Sequence, residues 1–417
     1  MDSFPSTGRC DDGLFLDAAE EIAEQLVAHR SRARDGSLYW SGPGLRDGRV
    51  VPMPLGPYLY PGTTGVALFL AAMARTSGGD KYRELCLQTL APLRRELPEV
   101  VGNSRRAEEA PHPLGGMSGL GSLVYALLKI GALLGEPALI RDAQELSGLI
   151  TPCRILGDEN LDVMFGAAGA LLALLALDRE VSGPDAQEST PLELAVACAA
   201  RLLSQRTRRV GRLQVWPMGS EKRPVGGFAH GASGIACALI RLFGRTGEPE
   251  LLAAAREGIA YERTLYVTDG WNWRISWRPG ARLGRSWCNG ASGVALSRLE
   301  ILNFEATPEA AREVREALDV TGSPELDDDD LLCCGNMGRV DILLHAACKL
   351  GDESLHVAAR SLACHVLERA REREGFGLMA ASRYSFDPRF FLGLAGIGYT
   401  LLRLADPLGL PCVLALA

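Results

Sequence analysis

Seven times along this chain a Gly-x-x-Gly tetrad opens an apolar run: Gly62–Gly65, Gly116–Gly119, Gly166–Gly169, Gly231–Gly234, Gly290–Gly293, Gly335–Gly338 and Gly393–Gly396. The first glycines stand 54, 50, 65, 59, 45 and 58 residues apart. A repeat of this period copies one supersecondary unit, and each copy needs its neighbours to bury its apolar face. After Gly65 come Val66, Leu68, Phe69, Leu70 and Met73; after Gly396 come Ile397, Tyr399, Leu401, Leu402 and Leu404. Such runs are too long for strands and apolar on more than one side, so they predict buried helices. The segments Leu16–His29, Glu309–Leu318 and Ser354–Glu372 alternate charge with apolar residues and predict outer helices with one wet face. The predicted unit is an outer helix, a loop and an inner helix begun by Gly-x-x-Gly. Seven units predict an all-α fold with a ring of inner helices inside a ring of outer ones. The glycines are expected to permit close backbone approach and unusual φ where the inner ring is crowded.

The repeat spans nearly all of the 417 residues, which predicts one domain over 1–417, with 1–54 as an N-terminal helix and variable lead-in. Lys and Arg number 44 against 51 Asp and Glu, a net charge of −7, and this gives no support for nucleic-acid binding. Met1–Asp12 has no apolar core of a secretory signal, and the run Ala167–Leu177 is far short of a membrane span. These features predict a cytoplasmic protein with reduced thiols. Of eleven cysteines, eight (Cys10, Cys86, Cys153, Cys198, Cys237, Cys348, Cys364 and Cys412) read as small core hydrophobes. The Gly/Pro-rich stretches Ser41–Gly48, Pro52–Pro61 and Val181–Pro184 read as surface connections, and Asp327–Asp330 as solvated acids at a helix start.

The other three cysteines stand just ahead of motif glycines. Cys288 lies two residues before Gly290, and Cys333 and Cys334 lie two and one before Gly335. Three thiols at equivalent places in consecutive repeats make a candidate zinc site, with a fourth position left for a substrate. The alternative is two buried thiols and an unrelated third. His230 fills the same slot before Gly231, either as a satisfied structural residue or as a proton donor or acceptor facing the same rim. Asp162, four residues before Gly166 and between Leu161 and Val163, either caps a helix start or does proton work.

The set Leu59-Tyr60-Pro61-Gly62, Asp162-Val163, Ala229-His230-Gly231, Trp287-Cys288-Asn289-Gly290, Cys333-Cys334-Gly335 and Gly393-Leu394-Ala395-Gly396-Ile397-Gly398-Tyr399 resembles the lanthionine synthetase C-like (LanC-like) cyclases. It is particularly similar to the cyclase half of class II lanthipeptide synthetases, from about Leu55 to Ala417. The resemblance implies an α/α toroid holding Zn2+. It also implies addition of a peptide cysteine thiol to dehydroalanine or dehydrobutyrine, giving a (methyl)lanthionine thioether. Most of the family reads Cys-His-Gly where this chain has Cys333-Cys334-Gly335, and a minority clade with Cys-Cys-Gly holds zinc with three cysteines. Cys288, Cys333 and Cys334 are then the implied ligands, and His230 and Asp162 the implied acid and base, with the assignment between them open. Asn289 departs from the aromatic or His that relatives often carry there, so no role transfers to it.

The implied partner is a dehydrated ribosomal precursor peptide. The chain lacks the dehydratase region that precedes the cyclase in class II synthetases, so a separate dehydratase or a missing dehydratase domain is also implied. Two other readings compete. One is a non-cyclising LanC-like protein that binds zinc and peptide thiols in a regulatory role. The other is a helical-toroid sugar hydrolase, which needs paired carboxylates that the pre-glycine slots do not offer.

Overall fold

A computed structural model of the chain describes residues 11–102, 112–182, 190–219, 221–270, 272–276, 283–379 and 386–417. Cys10 and part of Val181–Pro184 lie outside the described residues. Helices dominate. They are α1 (Asp12–Ala28), α2 (Thr63–Ser77), α3 (Asp80–Gly102), α4 (Leu120–Leu134), α5 (Pro137–Ser147), α6 (Pro152–Gly157), α7 (Ala167–Val181) and α8 (Thr190–Ser204). There follow α9 (Ala232–Thr246), α10 (Pro249–Arg263), α11 (Ala291–Ile301), α12 (Pro308–Thr321), α13 (Asn336–Leu350), α14 (Glu353–Glu372) and α15 (Leu394–Ala405). Strands occur as short antiparallel hairpins in the connections: β1 (Ser31–Arg32) with β2 (Leu38–Tyr39), β3 (Ser41–Arg46) with β4 (Arg49–Pro54), β5 (Arg208–Val210) with β6 (Leu213–Val215), and β7 (Tyr266–Val267) with β8 (Asn272–Trp273). The stretch Ser41–Gly48 is thus paired strand and turn rather than plain connection.

The chain divides into two compact units. The first comprises Met1–Glu96, Lys129–Ala138 and Gly322–Leu414; the second comprises Leu97–Leu128, Leu139–Thr321 and Ala415–Ala417. In the second, inner helix α9 packs on α7 and on α11, and each of these three lies against the outer helix that follows it: α7 on α8, α9 on α10, α11 on α12. The burial pattern follows the sequence pattern. Every residue of α11 is buried, whereas α12 buries Ala310, Glu313, Val314, Ala317, Leu318 and Thr321, one helical face.

In the first unit α15 packs on α13 and α2, and α13 on its following helix α14. Helix α1 packs chiefly on α15 and only slightly on α2. The packed pair is therefore an inner helix with the outer helix after it. The sequence predicts the reverse order, and α15 takes its outer partner, α1, from far upstream.

The motif glycines are explained by space more than by φ. In six copies the first glycine is the N-cap residue in extended backbone, without a side-chain cap, as at Gly166 (φ −116°) and Gly231 (φ −134°). The loop ahead of each helix curls back over it. A Cβ on Gly231 would meet the Gly226 carbonyl oxygen at 2.3 Å, and one on Gly234 the Phe228 carbonyl oxygen at 2.0 Å. Unusual φ was expected at these starts, but only the second copy has it. There α4 begins one residue after Gly119, whose φ of +154° few side chains tolerate.

The thiols divide. Cys86, Cys198, Cys237 and Cys412 are buried as expected, and burial pushes the Cys86 and Cys198 thiols far up. Cys153 and Cys348 are exposed, against expectation: Cys153 lies on the short α6, which buries only Ile155, and Cys348 lies at the exposed C-terminal end of α13, past the buried run Asn336–Ala347. Cys364 is buried and disulfide-bonded rather than reduced.

Candidate metal and proton-transfer site

In the second unit the loops preceding the motif helices are hydrogen-bonded one to the next. Gly115 N–H donates to the Phe165 carbonyl at 2.9 Å, and Met164 N–H to the Ala229 carbonyl at 3.1 Å. Phe228 and Ala229 N–H groups both donate to the Cys288 carbonyl, at 3.1 and 3.2 Å. Backbone bonding thus strings the slots of repeats two to five into one strip, carrying Asp162, His230 and Cys288.

Asp162 both caps and pairs. Its Oδ1 accepts the N–H groups of Phe165 (2.7 Å) and Gly166 (3.2 Å) at the start of α7, while Oδ2 accepts Nδ1–H of His230 at 2.8 Å. The carboxylate is buried, and the imidazole is 41% exposed. Both oxygens of Asp162 are engaged, so the atom left facing outward on this pair is Nε2 of His230. Burial pulls the imidazole down. The Asp162 hydrogen bond and charge, with the Cys288 sulfur, outweigh it and hold His230 above the usual histidine value.

Cys288 is half-buried, with its Sγ 3.5 Å from Ser286 Oγ. In the first unit, Cys333 and Cys334 sit on the turn before Gly335. Cys333 is buried with its N–H on the Phe391 carbonyl at 3.1 Å, and Cys334 is exposed. Their sulfurs lie 3.1 Å apart with no bond between them. Two unbridged thiols side by side on an irregular turn form a donor pair that suits a soft-ligand ion such as zinc.

Two features escaped the sequence reading. Phe165, in the slot before Gly166, is partly exposed and tilts over His230 with ring centroids 5.8 Å apart. It puts an apolar surface beside the imidazole. Behind the His230 loop, Glu262 of α10 is buried and accepts N–H from Gly227 (2.8 Å) and Ser233 (3.1 Å) through Oε1. Its Oε2 takes Nη1 of the fully buried Arg298 at 2.8 Å, and Arg298 Nε reaches Glu313 at 2.8 Å. A carboxylate in a mostly apolar helix was the available signal.

The Asp327–Asp330 run is not simply solvated. Asp330 is buried and accepts from Asn336 Nδ2 (2.9 Å), Gly377 N–H (2.7 Å) and Arg369 (2.5 Å), which pins the loop leading to Cys333.

The fold and these slots define a helical-repeat protein with thiols and an imidazole–carboxylate pair at its pre-motif loops, and comparison with known proteins agrees. Residues 53–414 match the family described as "Lanthionine synthetase C-like protein", and the chain belongs to that family. Over 132 residues it is 27% identical to the lacticin 481/lactococcin biosynthesis protein LcnDR2 of Lactococcus lactis subsp. lactis, covering 29% of this chain and 14% of that protein. Among solved structures it is similar to nisin cyclase, with a TM-score of 0.59 at 16% identity over 97% of this chain and 98% of that one. This likeness gives the fold, an α/α toroid. The Lin0763 protein of Listeria innocua is also similar, with a TM-score of 0.49 at 14% identity over 69% and 84% of the two chains. Among the described residues, no helix is long and apolar enough to cross a membrane.

Proposed function

We propose that the chain is a zinc-dependent lanthipeptide cyclase, adding cysteine thiols of a dehydrated precursor peptide to dehydroalanine or dehydrobutyrine. The observation that carries this reading is the His230–Asp162 pair on the same hydrogen-bonded strip as Cys288. Family membership supports this class of reaction. Cys288, Cys333 and Cys334 would hold the ion. When bound, zinc supplies the charge that keeps a substrate thiol ionised near neutral pH.

The chain's own residues handle the proton. Sulfur adds to the β-carbon of the alkene and the π electrons pass to the α-carbon, leaving an enolate that needs a proton. His230, whose protonated form Asp162 favours, delivers it from Nε2. The neutral imidazole then takes the proton that the next substrate thiol loses, so atoms balance over a turnover. Asp162 orients the ring and stabilises its charged form, the role its buried, doubly engaged carboxylate suits. Phe165 lines the approach and excludes water from the enolate side.

A dehydrated, cysteine-containing precursor incubated with the zinc-loaded protein tests the reading, with free thiols counted by alkylation and mass spectrometry. Thiols consumed faster than in a protein-free control are the expected result. Loss at the uncatalysed rate, with zinc and peptide still bound, turns the assignment to a peptide-binding or regulatory protein. Production of the substrate in the cytoplasm, by a separate dehydratase or a dehydratase domain missing from this sequence, belongs to the same proposal.

A further inference from the structure

Residues 206–223 hold six basic side chains, Arg206, Arg208, Arg209, Arg212, Lys222 and Arg223, against the single acidic Glu221, in a chain whose net charge is −7. They lie on the β5–β6 hairpin and on the turn closed by the Met218–Arg223 bridge, all within the second unit. Val210, Leu213 and Val215 face inward and pack with Ala232, Tyr261 and Leu265. Alternation therefore turns the Arg209–Gln214 pair outward.

The cations are held in place and are not all spent. Arg206 pairs with Glu257 at 2.8 Å and Lys222 with Glu159 at 3.2 Å, while Arg208 Nε donates to the Lys222 carbonyl at 3.0 Å. Arg208, Arg209 and Arg212 are exposed, and among the described residues no carboxylate pairs with Arg209 or Arg212. Concentrated like charge repels itself, and an anionic partner relieves that repulsion. The outward face offers Arg, Gly and Gln. It has neither the aromatic platforms that stack single-stranded nucleic acid nor the apolar anchors that enter a bilayer.

The patch also adjoins the proton-transfer pair. The chain runs from β6 to His230 through this turn, and the Lys222–Glu159 pair ties the turn to the loop that carries Asp162.

We propose that the β5–β6 hairpin captures an acidic segment of the substrate peptide outside its ring-forming part. The idea rests on the cyclase reading for its partner. Tethering there raises the effective concentration of the peptide's cysteines at His230 and speeds encounter at low salt.

The test uses a fluorescein-labelled octaglutamate peptide, followed by anisotropy, with the full chain and the exposed double variant Arg209→Glu/Arg212→Glu. The variant should keep the wild-type circular dichroism and thermal midpoint, and bind octaglutamate at least about tenfold more weakly with a flattened salt dependence. On a precursor carrying an acidic segment its KM should rise while kcat stays, and on a precursor without that segment the two proteins should match. Equal binding by variant and wild type, or wild-type binding no better than to a labelled Gly-Ser peptide, overturns the proposal. So does tighter, arginine-dependent binding of an RNA octamer or of phosphatidylserine vesicles. If the wild type cyclises nothing, the cyclase reading fails while octaglutamate binding still decides the patch.

Discussion

Nδ1 of His230 donates to Oδ2 of Asp162 at 2.8 Å, while Oδ1 of the same carboxylate is taken by the backbone at the start of α7. One side chain thus caps the inner helix of repeat three and fixes the tautomer of an imidazole in repeat four. The orientation of His230 is tied to the integrity of that helix start.

Asp162→Asn should keep the cap and lose the charge that raises the His230 imidazole. Because the native imidazole sits above its usual value, the acid form is full at low pH and is lost as pH rises through the raised value. The variant's alkaline limb of kcat should therefore move to lower pH, with kcat down about 10²-fold or more, and His230→Ala should abolish the limb. An unchanged pH–rate profile in Asp162→Asn sinks the orienting role. The pair's contribution to stability has the same sign, present at low pH and fading as pH rises through the raised value.

Zinc should bind at one equivalent per chain and raise the thermal midpoint. Cys288→Ala, Cys333→Ala and Cys334→Ala should each lower affinity by roughly two orders of magnitude if, as proposed, each supplies one of three ligands. Metal analysis after dialysis reads this directly. Full stoichiometric binding by Cys334→Ala removes that residue from the ligand set.

Glu262→Gln should lower stability by about 1–3 kcal/mol, because the buried Arg298 loses one of its two carboxylate partners and keeps Glu313. Pairing it with Arg298→Met should restore part of the loss. Urea midpoints at matched slope measure both, and a Glu262→Gln midpoint equal to that of wild type would show that the ion pair contributes nothing.

Gly234→Ala should be costlier than an ordinary helix substitution. Its Cβ falls 2.0 Å from the Phe228 carbonyl oxygen, so the loop bearing His230 must move. About 1–3 kcal/mol of overpacking is expected, with a fall in kcat larger than the fall in stability explains. Wild-type kcat in this variant would separate the glycine from the site.

Iodoacetamide should mark Cys153 and Cys348 on the native protein well before Cys86 and Cys198, whose burial keeps them protonated. Mass spectrometry of the digest gives the order of labelling.

The inner helices were legible because Gly-x-x-Gly followed by an all-round apolar run has few other solutions. The slots of Cys288, Cys333, Cys334 and His230 followed from counting back from each glycine. Three things were not legible, for physical reasons. Pairing order was hidden because an outer helix is apolar on one face whichever neighbour it meets, so the partnership of α1 with α15 needed coordinates. Asp162 allowed a cap or proton work, and only the geometry showed that its two oxygens divide the tasks. The role of Glu262 was hidden because its partners Gly227, Ser233 and Arg298 lie far off in sequence.

The packing of α1 on α15 has a consequence in time. Helix α1 has its main contact nearly four hundred residues downstream, so until α15 exists the apolar stripe Phe15, Ala19, Ile22 and Leu26 lacks its chief cover. Closing such a distant pair is a late and entropically expensive event. Folding of the first unit should therefore end with the joining of α1 to α15, and interrupted synthesis should leave a sticky helix without its counterpart.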